Sequence, residues 1–113
     1  MAQTQAFFAQ KYFPIQASSS GVNQIIAGQA GYKIRILNYV IVASGAVNVK
    51  WQSGSTDVTG LLYLAANGGV SAPYANDGHF ATANGDDLNL NLSGATAVGG
   101  HVTVAIYPAT VAS

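Results

Sequence analysis

The chain has 113 residues, 7% of them charged: four Lys/Arg against four Asp, no Glu, and a formal net charge of zero. A soluble domain carries roughly 25% charged residues, so much of this surface is expected to face other protein rather than water. The neutral balance and the lack of a basic cluster argue against nucleic acid or an anionic membrane as partner, and without cysteine these residues form neither disulfides nor thiolate metal sites.

The length suits one domain, able to bury about two-thirds of its unfolded surface without a metal or a covalent staple. Residues 1–11 read as an arm carrying the aromatic pair Phe7-Phe8, and residues 12–113 as a single domain. The arm has no basic segment before Lys11, so it does not read as a secretory signal. The longest near-apolar stretch, Leu37 to Val42, is broken by Asn38 and is far short of the roughly 20 residues of a membrane helix.

Period-2 alternation recurs along the chain and predicts strands. The first two are expected at Tyr12–Gln16 and Gln24–Ala27, separated by the turn-like Ser18-Ser19-Ser20-Gly21. In Lys33–Ala43, Ile34, Ile36, Asn38, Val40 and Val42 share one face, and Arg35, Leu37, Tyr39 and Ile41 the other. Both faces are apolar, which predicts cover from a second sheet on one side and a partner chain on the other. Ser44-Gly45 reads as a hairpin turn into Ala46–Gln52, where Val47, Val49 and Trp51 share a face.

Gly60–Leu64 follows, then an irregular stretch from Ala65 to Gly78 that holds Asn67-Gly68-Gly69 and Pro73. His79–Ala83 is joined by Asn84-Gly85, a type I′ hairpin signal, to Leu88–Leu92, whose three leucines all point one way. Gly94 to Gly100 reads as a loop and His101–Tyr107 as the last strand. Short strands at this spacing predict an all-β antiparallel β-sandwich, jelly-roll-like, with an extended N-terminal arm.

Chemistry-bearing residues are few. Asp77, His79, Asp86 and Asp87 are the one set that could gather around a hard cation. Their spacing fits no calcium loop, and aspartates after a turn favour bonds to local backbone, so neither a metal nor another cofactor is expected. No Gly-x-Ser-x-Gly elbow and no phosphate-cradling loop is present, and titratable groups do not converge, so no enzymatic activity is expected. Trp51, Tyr39, Tyr63, Tyr74 and Tyr107 could form a sugar-stacking platform, although Trp51 shares the face of Val47 and Val49 and so reads as core. The residues expected at protein contacts are Phe7, Phe8, Tyr12, Phe13, Arg35 and Tyr39.

Six segments carry a family resemblance: Lys33–Val40, Val47–Ser53, Asn67–Val70, Gly78–Phe80, Gly85–Ser93 and Val98–His101. Together, across about Gln24 to Tyr107, they resemble small proteins encoded by tailed bacteriophages and prophages. Small β-sandwich virion proteins of this type include capsid decoration, or cement, proteins. The resemblance implies a structural virion protein on the capsid exterior that binds the major capsid protein, stabilises the shell and forms a homotrimer. A tail or fibre adaptor and a carbohydrate-binding module are the alternative expectations.

Overall fold

Leu88-Asn89-Leu90-Asn91-Leu92 sets the pattern on which the fold is built. In a strand the three leucines line one face, and all three are buried while Asn91 stays at the surface. Burying each leucine contributes roughly 1.5–3 kcal/mol.

A computed structural model describes residues 10–75 and 77–109, and every regular element among them is a strand. In chain order these are β1 (Gln10–Ala17), β2 (Gly21–Ile26), β3 (Tyr32–Ala43), β4 (Val47–Ser53) and β5 (Thr56–Asp57). They continue with β6 (Leu62–Leu64), β7 (Gly69–Ala72), β8 (Phe80–Ala81), β9 (Leu88–Leu92) and β10 (Val98–Pro108). One sheet has the order β1-β10-β3-β7, with β8 also on β3. The other has the order β2-β9-β4-β5, with β6 also on β4. All pairings are antiparallel and nested: β1 with β10, β2 with β9, β3 with β7 and β8, β4 with β5 and β6. This is the jelly-roll form of a two-sheet sandwich.

The inner faces meet in one apolar core. Ile15, Ile36, Ile41, Val102 and Val104 enter it from the first sheet. Val49, Trp51, Leu88, Leu90 and Leu92 enter from the second. Trp51 is fully buried, its ring 5.3 Å from that of Tyr39 in an edge-on arrangement and 6.1 Å from that of Phe80. Among the described residues no acceptor meets its indole nitrogen in full hydrogen-bond geometry, the Tyr39 hydroxyl being only a weak polar neighbour, so its place rests on packing.

β3 departs from simple alternation, and the reason is one extra residue. Thr103 pairs with Asn38 but Val104 pairs with Ile36, so Leu37 is a β-bulge. Before the bulge the even positions Ile34 and Ile36 face the core; after it the odd positions Tyr39, Ile41 and Ala43 do. Part of the two apolar faces expected of this segment is therefore one core-facing surface whose parity flips, while Val40 and Val42 stay on the outer face, Val42 47% exposed. The bulged Leu37 carbonyl accepts from Ala75 N at 3.0 Å, and that of Ile36 from His79 N at 2.8 Å, which hold the loop between β7 and β8 against the strand.

Neither expected hairpin forms. Ser44-Gly45 and Asn84-Gly85 each carry the chain from the first sheet to the second. Three residues separate β3 from β4, enough at ~3.3 Å each to span the roughly 10 Å between packed sheets. At Asn84-Gly85 only the glycine takes positive φ, at 82°, whereas a type I′ turn needs two such residues. Asn84 Oδ1 instead accepts from Gly31 N at 2.8 Å, tying this crossing to the one before β3.

Three further boundaries differ from expectation. β7 lies inside the stretch read as irregular, where Gly69-Val70-Ser71-Ala72 offers a single large apolar residue. β1 takes in Gln10 and Lys11, assigned above to the arm. β10 starts at Val98 and so includes Gly99 and Gly100. At Gly100, φ is 145° and a Cβ would collide with the Val40 carbonyl oxygen on the paired strand.

Gly100→Ala is expected to cost about 2 kcal/mol or more through that collision, and Leu90→Ala about 2–5 kcal/mol through the cavity left. Urea unfolding followed by Trp51 fluorescence measures both. Near-wild-type midpoints would contradict the close approach at Gly100 or the burial of Leu90.

Candidate interaction surface

The groups that might have done chemistry are spent on local structure. Asp86 Oδ2 accepts from Ser53 Oγ at 2.8 Å, and Ser53 Oγ accepts in turn from Ala83 N at 2.9 Å. Asp87 Oδ1 accepts from Gly28 N at 2.6 Å. Both aspartates thus clamp the crossing before β9, Asp86 to the end of β4 and Asp87 to the loop after β2, rather than bonding to the local backbone expected beside a turn. His79 Nε2 lies 2.8 Å from the Pro73 carbonyl oxygen, and the backbone carbonyl of Asp77, not its carboxylate, accepts from Arg35 Nη1 at 3.0 Å. No cluster of three or more His, Cys, Asp or Glu placed to hold a metal occurs among the described residues.

The expected contact residues scatter. Phe7 and Phe8 lie outside the described residues. Tyr12 is 80% exposed on β1, whereas its neighbour Phe13 packs on the core from the opposite face. Arg35 is half-buried and engaged within the chain. Its Nη2 donates to the Tyr107 hydroxyl at 3.0 Å, and its guanidinium carbon lies 5.4 Å from the centre of that ring. Arg35 therefore joins β10 to the β7–β8 loop.

Tyr39 was expected at a contact, but it is buried against Trp51 and has no surface to offer a partner. The bulge at Leu37 is the reason, since it turns Tyr39 inward. The same burial dissolves the aromatic platform: Tyr39, Trp51 and Tyr107 are buried, and exposed Tyr63 and Tyr74 stand on different sheets or their loops.

What remains are two sheet faces of different chemistry. On the outer face of the first sheet, register aligns Pro14, His101, Val40 and Ser71 in one row. Gln16, Gly99, Val42 and Gly69 form the next. Tyr12 continues it on β1, and Val42 is 47% exposed. Neither row has a Lys, Arg or Asp. Beside it, where β1 and β3 end, lies a recess of about 610 Å3 whose lining, including Gln16, Ala17, Val42, Ala43 and Val98, is also uncharged.

The outer face of the second sheet is polar. Asn91 Nδ2 donates to Gln52 Oε1 at 3.2 Å, Gln52 Nε2 to Asp57 Oδ1 at 2.7 Å, and Lys50 Nζ to Asp57 Oδ2 at 3.1 Å. The bonds from Gln52 and Lys50 lower the pKa of the Asp57 carboxyl. Sequence reasoning treated Asn48, Asn91 and Gln52 only as the exposed half of an alternation. Their shared face depends on strand order, which no local pattern encodes.

Burial raises the Tyr39 phenol above its ordinary value of 10.0, with the neighbouring Trp51 offsetting part of the effect. A raised folded-state pKa gives stability that is complete below the unfolded value and is lost as pH climbs toward the folded one. The difference between the ultraviolet titrations of the wild type and Tyr39→Phe isolates the Tyr39 phenol, which is expected to ionise above its ordinary value of 10.0. Stability should be flat below pH 10 as far as Tyr39 is concerned and fall above it. Ionisation of that phenol at its ordinary value would contradict the buried placement.

No protein-family model matches the chain, and no curated protein is significantly similar to it. Among solved structures, a chain from the Bacillus endospore appendages, described as a novel family of disulfide-linked pili, superposes with a TM-score of 0.52. The two are 16% identical, and the match covers 88% of this chain and 87% of that one. The likeness is one of fold. The 113 residues here contain no cysteine, so they hold no counterpart of the covalent linkage named for those pili.

Proposed function

We propose that the chain is a non-catalytic structural subunit that acts by assembling with copies of itself. The observation that carries this reading is the outer face of the first sheet, where two aligned rows and the adjoining recess present no charged side chain. Such a face lacks the Lys and Glu by which free sheet surfaces stay apart. Tyr12, Pro14 and Val42 supply the apolar contact area that interface centres use. The jelly-roll fold, which also serves viral capsid domains, and the disulfide-linked pili formed by the solved neighbour are in keeping with a structural subunit.

The finer reading is a decoration protein on the exterior of a tailed-bacteriophage capsid, a homotrimer seated on the major capsid protein and stabilising the shell. Its support is the sequence resemblance over Gln24 to Tyr107. A filament subunit is the second reading, favoured by the fold shared with the endospore appendages. The two differ in symmetry. A ring closes on itself, whereas a head-to-tail contact that does not close grows into a fibre.

Native mass spectrometry at tens of micromolar is expected to give a multimer, and negative-stain microscopy distinguishes closed particles from filaments. Val42→Asp places an unpaired carboxylate in the contact and should weaken the multimer at least tenfold, about 1.4 kcal/mol, with the monomer's thermal midpoint nearly unchanged. Removing residues 1–9, with Phe7 and Phe8, tests the arm in the same assay. A monomeric wild type would overturn self-assembly. For the capsid reading, particles lacking the protein should burst at lower temperature than complete ones.

A further inference from the structure

The polar face of the second sheet has no part in the assembly just described. On β4, Val47, Val49 and Trp51 enter the core, so Asn48 and Lys50 project outward. Register sets Asn48 opposite Tyr63 on β6, and Lys50 opposite Asn91 on β9. Side chains directly opposite stand about 4.5–5.5 Å apart, and alternate residues along a strand about 7 Å apart. Tyr63, Asn48, Lys50 and Asn91 therefore occupy a patch the size of one or two sugar rings, with Tyr63 75% exposed at its edge.

The patch is held in place yet not saturated. The chain of bonds Asn91 to Gln52 to Asp57 to Lys50 fixes its floor, so little side-chain freedom remains to be lost on binding. Gln52 and Asn89 are nearly sealed beneath it. The half-buried Asn48 amide makes no hydrogen bond to a described residue, and Asn91 uses a single donor. An amide offers two donors and an acceptor in one plane, which matches adjacent hydroxyls that each donate and accept. Lys50 is neutralised by Asp57 at 3.1 Å, so the patch carries no net charge with which to select a phosphate or a carboxylate.

We propose that this face binds a neutral polysaccharide, with the Tyr63 ring stacking on the apolar side of a sugar and the Asn48 and Asn91 amides bonding to its hydroxyls. The charge balance and the free amide groups favour this occupant over an acidic polymer. Val22 on β2, opposite Asn91 and 54% exposed, adds some apolar contact to this row but not the large desolvated anchor on which protein interfaces centre. The face is a flat sheet surface rather than a pocket, which suits a run of sugar units along a polymer.

Affinity electrophoresis of the full chain through native gels containing dextran, mannan or xyloglucan tests this, with alginate as the acidic control. Retardation is expected in at least one neutral gel and not in alginate. Tyr63→Ala and Asn48→Ala should each weaken it at least tenfold. Tyr63→Phe should retain it, and so should Tyr12→Ala on the other sheet. Thermal midpoints of the variants exclude misfolding, which the exposure of Tyr63 makes a minor concern. Migration unaltered in all three neutral gels would overturn the proposal, as would retardation only in alginate or retardation untouched by both Tyr63→Ala and Asn48→Ala. Mass spectrometry of the same samples keeps the two readings separate, since retardation by a monomer would reject self-assembly and leave the glycan site standing.

Discussion

The extra residue in β3 is the constraint on which the rest of the molecule depends. β3 joins three strands of the first sheet, β10 on one side and β7 and β8 on the other. Strict alternation along it would bury Ile34 and Ile36 but turn Tyr39 and Ile41 outward. The bulge at Leu37 resets the count, so both halves of a long strand feed one core. It also bends the strand locally and frees the Leu37 carbonyl to hold the β7–β8 loop. Tyr39 then reaches Trp51, and the two sheets are pinned at their middle by an aromatic contact rather than by a polar one. A cost accompanies this arrangement, because the Trp51 nitrogen is left without a full hydrogen bond among the described residues, a desolvation penalty of roughly 1–3 kcal/mol.

How much of this was legible in the sequence follows from what alternation can encode. Leu88–Leu92 was readable to the residue, and β3 to within one residue at its start, because a strand's face is written in its own side chains. Sheet membership is not. Ser44-Gly45 and Asn84-Gly85 look like hairpin turns in isolation, but whether such a connection folds back or crosses depends on strands far away in the chain. The Leu37 bulge was present in the pattern as two apolar faces on one segment, where a change of parity accounts for Tyr39 and Ile41 but not for the outward Val40 and Val42. Tyr39 was misplaced for the same reason. β7 was missed because Gly69, Ser71 and Ala72 carry too little side chain to alternate. The acidic residues were only half readable: Asp86 and Asp87 do serve structure, but they bond to Ser53 and Gly28, far from them in sequence, rather than to the local backbone expected after a turn.

The low charge content also acquires a location. Five of the eight charged side chains are paired or tethered where they stand: Lys50 with Asp57, Asp86 with Ser53, Asp87 with Gly28, Arg35 with Tyr107. The first sheet carries Lys11 near the start of β1 and Lys33 and Arg35 near the start of β3, which leaves the middle of its outer face bare. Composition alone indicated that some surface would be poorly solvated, and strand order determines which one. The two sheets thus divide the exterior into a face bare of charge at its middle and a face lined with amides.

The nested pairing has a consequence for how the chain reaches this state. The strand in the middle of the first sheet, between β1 and β3, is the last one in sequence. As the chain leaves the ribosome, β1 and β3 have no hydrogen-bonding neighbour in common until β10 arrives more than fifty residues after β3 ends. The first sheet therefore cannot close before β10 has been made, and its pairing draws on contacts of very long sequence separation, the class that folds in milliseconds to seconds. Through that interval the β1 and β3 edges are open, and the chain carries few charges to keep such edges apart. The chain is thereby most exposed to unwanted pairing before it has folded, so the order in which its strands are made bears on its yield as much as its final stability does.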